Sequence, residues 1–232
     1  MILLSALALP GCLRYEYEQE FWLRVDGGGS VSVTGQPRLW AAFKGLPGGG
    51  PAEAEATLEA ARTAFERSGL RIRRLRVTHR QGRAYVQVAA DFDDVNRLGG
   101  SPAFPELRIT FRESGGRLLL AGDWTPRPPV TPQGADSEEL VAVRFHLPSK
   151  IYEHKNASAG VERGNILAWR EPLAQALAGR GLDFGATLDA RSILWSTVNL
   201  FAASIAAALL LLAAIAVWVV RAGRGRDGPT AS

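Results

Sequence analysis

"PAEAEATLEAARTAFERSGLRIRRLRVTHRQGRAYVQVAADF", residues 51–92, sets a helix directly before a pair of strands. Pro51 leads a run of helix formers with acids in its first turns, Arg67 closes it and Gly69 terminates it, which is the polarity that the helix dipole favours. Leu58, Ala61 and Phe65 share one stripe that can lie on a sheet. From Leu70 the period falls to two. Leu70 to His79 and Ala84 to Phe92 read as a hairpin around Gln81-Gly82, with Leu75 and Val77 facing Val86, Val88, Ala90 and Phe92. The opposite face then carries Arg74, Arg76, Arg80 and Arg83, four of the six arginines between Arg71 and Arg83.

Upstream, alternation over Tyr15 to Val25 places Tyr15, Tyr17, Phe21, Leu23 and Val25 on one face and Glu16, Glu18, Glu20 and Trp22 on the other. Asp26-Gly27-Gly28-Gly29 supplies a turn, and Ser30 to Thr34 returns, so this is another hairpin. Downstream, Glu106 to Arg112 and Arg117 to Trp124 pair around Ser114-Gly115-Gly116, followed by a Pro-rich loop near 125–138 and a strand at Leu140 to Leu147. Ile166 to Trp169, a short helix around Pro172 to Ala178 and Leu182 to Leu188 complete the series. The expectation is an α+β domain over 12–190: a largely antiparallel sheet with one main helix packed on it.

After a juxtamembrane segment, 191–197, the sequence VNLFAASIAAALLLLAAIAVWVV runs 23 residues without a charge. As a helix it would be about 34 Å long, enough to cross a hydrocarbon layer of about 30 Å. It therefore predicts a single transmembrane helix over 198–220. Trp195 and Trp218 flank it, and Arg221, Arg224 and Arg226 mark a basic cytoplasmic tail over 221–232, which puts the main domain outside the cytoplasm. Residues 1–11 form a signal-type apolar segment without a basic start. Leu9-Pro10-Gly11-Cys12 is similar to a bacterial lipobox, with Pro10 standing where a small residue is usual, and makes Cys12 the candidate lipidation site.

Cys12 is the only cysteine, so no internal disulfide can form and the domain depends on its core. The net charge is +4, half of it contributed by the tail, and the surplus left to the domain does not point to nucleic acid. With three lysines among 27 basic residues, arginine dominates. GLPGGG at 45–50 lacks the lysine and hydroxyl residue that follow the glycines of a phosphate loop, Lys44 standing before them instead. His146 and His154 match no standard metal spacing, and Asp91, Asp93 and Asp94 lack the glycine and distal glutamate of a calcium loop, reading as the cap of a short helix through Leu98. No GxSxG elbow occurs. The expectation is a chain with no catalytic, cofactor or metal site.

The order of features resembles the LppM-type bacterial envelope lipoproteins. The residues that carry it are Leu9 to Cys12, the turn Asp26 to Val31, Asp91-Phe92-Asp93-Asp94-Val95-Asn96-Arg97-Leu98, and Leu147-Pro148-Ser149-Lys150-Ile151 through Gly164-Asn165-Ile166-Leu167-Ala168-Trp169. The resemblance implies a lipidated cysteine, an α+β extracytoplasmic domain, a C-terminal membrane helix and a role in lipid or glycolipid binding at the envelope. The alternative is a non-catalytic structural or assembly partner in an envelope protein complex. Expected partners are accordingly membrane lipids or an envelope protein, with Arg74, Arg76, Arg80 and Arg83 as the candidate contacts for headgroup or partner. The competing reading of those arginines is neutralisation by Glu16, Glu18 and Glu20 across the sheet.

Overall fold

The computed structural model describes residues 14–47, 53–126, 138–158, 160–162, 165–190 and 193–224. The expectations for segment 1–11, for Cys12, for most of the Pro-rich loop and for the end of the tail lie outside these residues. The chain divides into two compact units, residues 1–190 and 191–232.

In the first unit the chain order is β1 (Arg14–Leu23), β2 (Gly29–Gly35), α1 (Pro37–Lys44), α2 (Ala54–Arg67), β3 (Arg71–Arg80), β4 (Arg83–Phe92), β5 (Leu107–Ser114), β6 (Arg117–Trp124), β7 (Glu139–His146), β8 (Ile151–Lys155), β9 (Val161–Glu162), β10 (Ile166–Pro172), α3 (Leu173–Leu177) and β11 (Leu182–Asp189). Two sheets result, one of seven strands in the order β3-β4-β2-β1-β7-β10-β9 and one of four in the order β5-β6-β11-β8. All neighbours run antiparallel except β1 and β7. The α+β class with largely antiparallel pairing is therefore present. The single sheet of the sequence reading is replaced by two, and the main helix α2 is joined by α1. α1 is only eight residues long, too short for its periodicity to stand out, yet Leu39, Trp40 and Phe43 are buried and Gly45 ends it in the left-handed region at φ 66°.

The interior is filled with aromatic rings. Tyr17, Phe21, Trp40, Phe43, Phe65, Phe104, Trp124, Phe145, Trp169 and Phe184 are each less than 2% exposed. Phe145 of β7 and Trp169 of β10 meet Phe184 of β11 at 5.1 and 5.7 Å, which joins the two sheets, while Phe43 of α1 touches both Tyr17 at 4.9 Å and Trp124 at 5.0 Å. At about 1.5–3 kcal/mol for each large apolar side chain removed from water, these contacts dominate the folding energy. At the β1–β2 turn, a Cβ on Gly29 would stand 2.0 Å from the Trp22 carbonyl oxygen, so only glycine fits there.

The second unit is α4 (Ile193–Arg224). Leu200–Val219 is the one helix segment among the described residues long and apolar enough to cross a membrane. Its large side chains, among them Leu200, Leu210 and Trp218, are exposed.

Candidate functional site

The outer face of the seven-stranded sheet collects most of the residues that the sequence singles out, because strand alternation puts Tyr17, Phe21, Val86 and Val88 inward and their neighbours outward. Pairing register then sets the cross-sheet rows. Arg74 lies in line with Ala89, Ser32, Glu20 and Arg144, and Arg76 in line with Gln87, Thr34, Glu18 and Ala142. Small side chains at Ala89 and Ser32 leave a floor between the arginines of β3 and the aromatic and acidic residues of β1. The result is an open groove of about 440 Å³ lined by Glu20, Trp22, Ser32, Arg73, Arg74 and Ala89 among others.

On the β3 side, Arg73 pairs with Asp91 at 3.1 Å and Arg71 with Asp93 at 3.5 Å. Arg76 donates to the Gln87 side-chain carbonyl at 2.7 Å, and Arg80 lies 5.2 Å from the centre of the Tyr85 ring. Among the described residues, no carboxylate forms an ion pair with Arg74, Arg76 or Arg80. On the β1 side, Arg144 of β7 bridges Glu18 at 3.2 Å and Glu20 at 3.6 Å, and Glu20 also meets His146 Nε2 at 2.6 Å. Burial pushes the Glu18 carboxyl above its ordinary pKa, with Arg144 opposing the shift. Trp22, 37% exposed, stacks on His146 at 4.7 Å. Neutralisation across the sheet thus falls mainly to Arg144, which the sequence reading did not single out. Its signal was the alternation of β7, but only the β1–β7 adjacency sets it beside Glu18 and Glu20.

Arg83 stands apart from the other three. Its guanidinium donates to Glu139 Oε1 at 2.6 Å and reaches Glu16 Oε1 at 3.5 Å, and both carboxylates are 1% exposed. Glu16 also accepts from the Gln36 amide and the Tyr85 hydroxyl. Burial, with the Glu16 hydrogen bond next in weight, pushes the Tyr85 phenol up to about 12. Arg83 therefore fastens the starts of the parallel strands β1 and β7, since Glu16 is the third residue of β1 and Glu139 the first of β7.

A second polar cluster lies in the core. Lys44, at the end of α1, bonds Glu106 at 2.6 Å with both side chains fully buried, and Gln19 donates to the same carboxylate and to Tyr17. Burial pushes the Lys44 ammonium down, Glu106 opposing it, and pushes the Tyr17 phenol well up. Phe104 covers the ammonium at 4.3 Å. With a further bond from Lys44 to the Ala103 carbonyl, the pair holds α1 against the loop before β5.

The two histidines lie on different sheets, His146 on β7 and His154 on β8. Asp94 caps a short turn over Val95–Arg97 by accepting from the Asn96 amide at 2.9 Å, as its sequence context suggested. Among the described residues no three His, Cys, Asp or Glu side chains are grouped to hold a metal ion.

No family model matches the chain and no curated protein matches it in sequence. Among solved structures it is similar to the folded domain of the Mycobacterium tuberculosis LppM protein, determined by NMR. The overlap covers 80% of this chain and 94% of that one, at 13% identity and a TM-score of 0.41.

Proposed function

We propose that this chain is a non-catalytic, single-pass protein of the bacterial cytoplasmic membrane whose extracytoplasmic domain binds lipid or glycolipid headgroups at its surface. α4 crosses the bilayer, the basic tail stays in the cytoplasm, and lipid on Cys12 gives a second attachment. The reading rests on one observation: Arg74, Arg76 and Arg80 project from the outer sheet face with no carboxylate partner among the described residues, beside an open groove edged by Trp22. A surface mode is favoured over an enclosed acyl site because the positions between sheet and helices are occupied by aromatic side chains.

The Arg80–Arg83 turn lies beside the starts of β1 and β7, through the Arg83 contacts to Glu16 and Glu139, and β1 begins two residues after Cys12. An N-terminal lipid would bring this end of the sheet toward the headgroups. A structural or assembly role in an envelope complex is the second reading. It is supported by the same filled core and by the exposed Trp22, which would then meet a protein surface.

Sedimentation of the domain, residues 13–190, with anionic vesicles tests the proposal. Exposed basic side chains gain about 1 kcal/mol each near an anionic surface. Arg74→Ala, Arg76→Ala and Arg80→Ala together should then weaken binding by about 150-fold, and salt should weaken it too. Absence of binding at low salt, or binding indifferent to the three changes, would transfer the groove to the assembly reading.

A further inference from the structure

Among the described residues outside α4, the exposed large apolar side chains are Trp22, Val25, Tyr152 and Val161. Of these four, Tyr152 is the one whose ring has cations over it. The Arg117 guanidinium lies 4.0 Å from the centre of its ring and the Lys150 ammonium 5.3 Å. Its hydroxyl donates to Asp189 Oδ2 at 2.9 Å, so the ring is held in place while 44% of the residue stays in water. Neither Arg117 nor Lys150 forms an ion pair among the described residues.

Asp189 is the last residue of β11, and its backbone is fixed from two sides. Its amide donates to the Lys150 carbonyl at 2.9 Å, and its carbonyl accepts from the Ser149 hydroxyl at 2.6 Å. Four residues on, at Ile193, α4 begins. Four residues of extended chain reach at most about 14 Å, and the seven helical residues from Ile193 to the start of the apolar span add about 10 Å. If α4 enters a bilayer, chain length limits Asp189 to within about 24 Å of the start of the apolar span, a distance from which the Arg117, Lys150 and Tyr152 cluster can reach the headgroups. The connection to α4 sets no such limit on the arginines of the outer sheet face. Arg83 bonds Glu139 at the start of β7, whereas Asp189 bonds Lys150 beyond its end, a strand length of about 25 Å away.

We infer that Arg117, Lys150 and Tyr152 form a membrane contact in their own right, a cation–aromatic patch that docks the domain onto the anionic headgroups of the bilayer its own helix enters. It rests on the reading of α4 as membrane-spanning but not on the Arg74, Arg76 and Arg80 face. A phenol with a tied hydroxyl and an open ring suits the interfacial layer, where tyrosine is enriched. The two cations beside it, which form no ion pair among the described residues, outnumber the one carboxylate of the cluster, Asp189, and complement anionic lipid, and Arg191, two residues after Asp189, adds another positive charge by sequence. The patch also explains why an apolar ring is left exposed on the edge strand β8.

The test uses the full chain, with Cys12→Ser, reconstituted into vesicles containing nitroxide-headgroup lipid. A fluorophore on Glu153→Cys reports proximity of the patch, and in a separate protein one on Arg80→Cys reports the far end of the sheet. Quenching at position 153 should be strong in anionic vesicles, weaker in zwitterionic ones and reduced by salt. Removing both charges, as Arg117→Gln with Lys150→Gln, should lower the ratio of docked to undocked protein by roughly 25-fold, at about fivefold for each charge. Tyr152→Ala should lower it further. Quenching that is absent, or equal in all variants and at all salt concentrations, overturns the patch, and the salt series on the unsubstituted patch keeps that decision independent of any folding defect. Resistance of the chain to alkaline extraction checks membrane insertion of α4 separately, and quenching at position 80 reports on the outer sheet face without bearing on this patch.

Discussion

Arg83→Ala should cost far more stability than Arg74→Ala, although the two residues stand on one hairpin and read alike in sequence. Arg83 is the cation that two carboxylates share, and Glu16 and Glu139 are each 1% exposed. Removing one partner of a buried ion pair costs about 3–5 kcal/mol, mostly because the remaining charge is left without compensation. The Arg83 side chain is itself 43% exposed, so water can enter the vacated position and soften the loss. Arg38, 3.7 Å from Glu139, and the Gln36 and Tyr85 donors to Glu16 soften it again. About 2–3 kcal/mol remains. For a domain of this size each kcal/mol is worth about 2–4 °C in Tm, so the expected fall is about 4–12 °C. Arg74→Ala, which breaks no ion pair among the described residues, should stay within about 0.5 kcal/mol of the parent protein. Urea and thermal unfolding of residues 13–190, followed by circular dichroism, measures both. Equal effects from the two substitutions, or a loss below about 0.5 kcal/mol for Arg83→Ala, would refute the assignment of Arg83 to the fold.

The core pair invites a double-mutant cycle: Lys44→Met alone should cost about 3–5 kcal/mol by stranding Glu106, whereas Lys44→Met with Glu106→Leu should recover most of that in chemical denaturation. Tyr85 predicts an alkaline loss. Its folded phenol holds its proton to about 12 while the unfolded one releases it near 10, so the folded state binds more protons in that window and stability falls as pH rises through it. The ceiling is about 2.7 kcal/mol, and about 1–2 kcal/mol once screening at the sheet surface is allowed for; Tyr85→Phe should lose this component of the slope in unfolding curves taken across that range. For topology, a C-terminal alkaline phosphatase fusion should be inactive and a C-terminal GFP fluorescent, and the opposite pattern would reverse the orientation. Intact-mass spectrometry of membrane-extracted protein should find acyl mass on Cys12 and no residues 1–11, a result that Cys12→Ala abolishes.

How much of the protein could be read without its tertiary structure depended on the range of the interactions involved. The helix at 54–67 and the hairpins β1–β2, β3–β4 and β5–β6 were legible because periodicity, glycine turns and helix-end residues act within about ten residues. The apolar span was legible for a simpler reason, since its composition alone fixes its length against a bilayer. Alternation also put Arg74, Arg76, Arg80 and Arg83 on one face correctly. It could not say which of them would find a carboxylate, because Glu139 is 56 residues from Arg83 and arrives only through the parallel pairing of β1 with β7. The same distance hid Arg144 beside Glu18 and Glu20, and a separation of 62 residues hid Glu106 from Lys44. Local pattern determined the main helix, the three hairpins with most of their inward faces, and the long apolar segment, but not the short strands β8 and β9 nor the outward turn of Tyr15 at the irregularity between Tyr15 and Tyr17; the order of strands in two sheets decided which charges serve the fold and which remain exposed, because register between distant strands is set by the packing of the whole core.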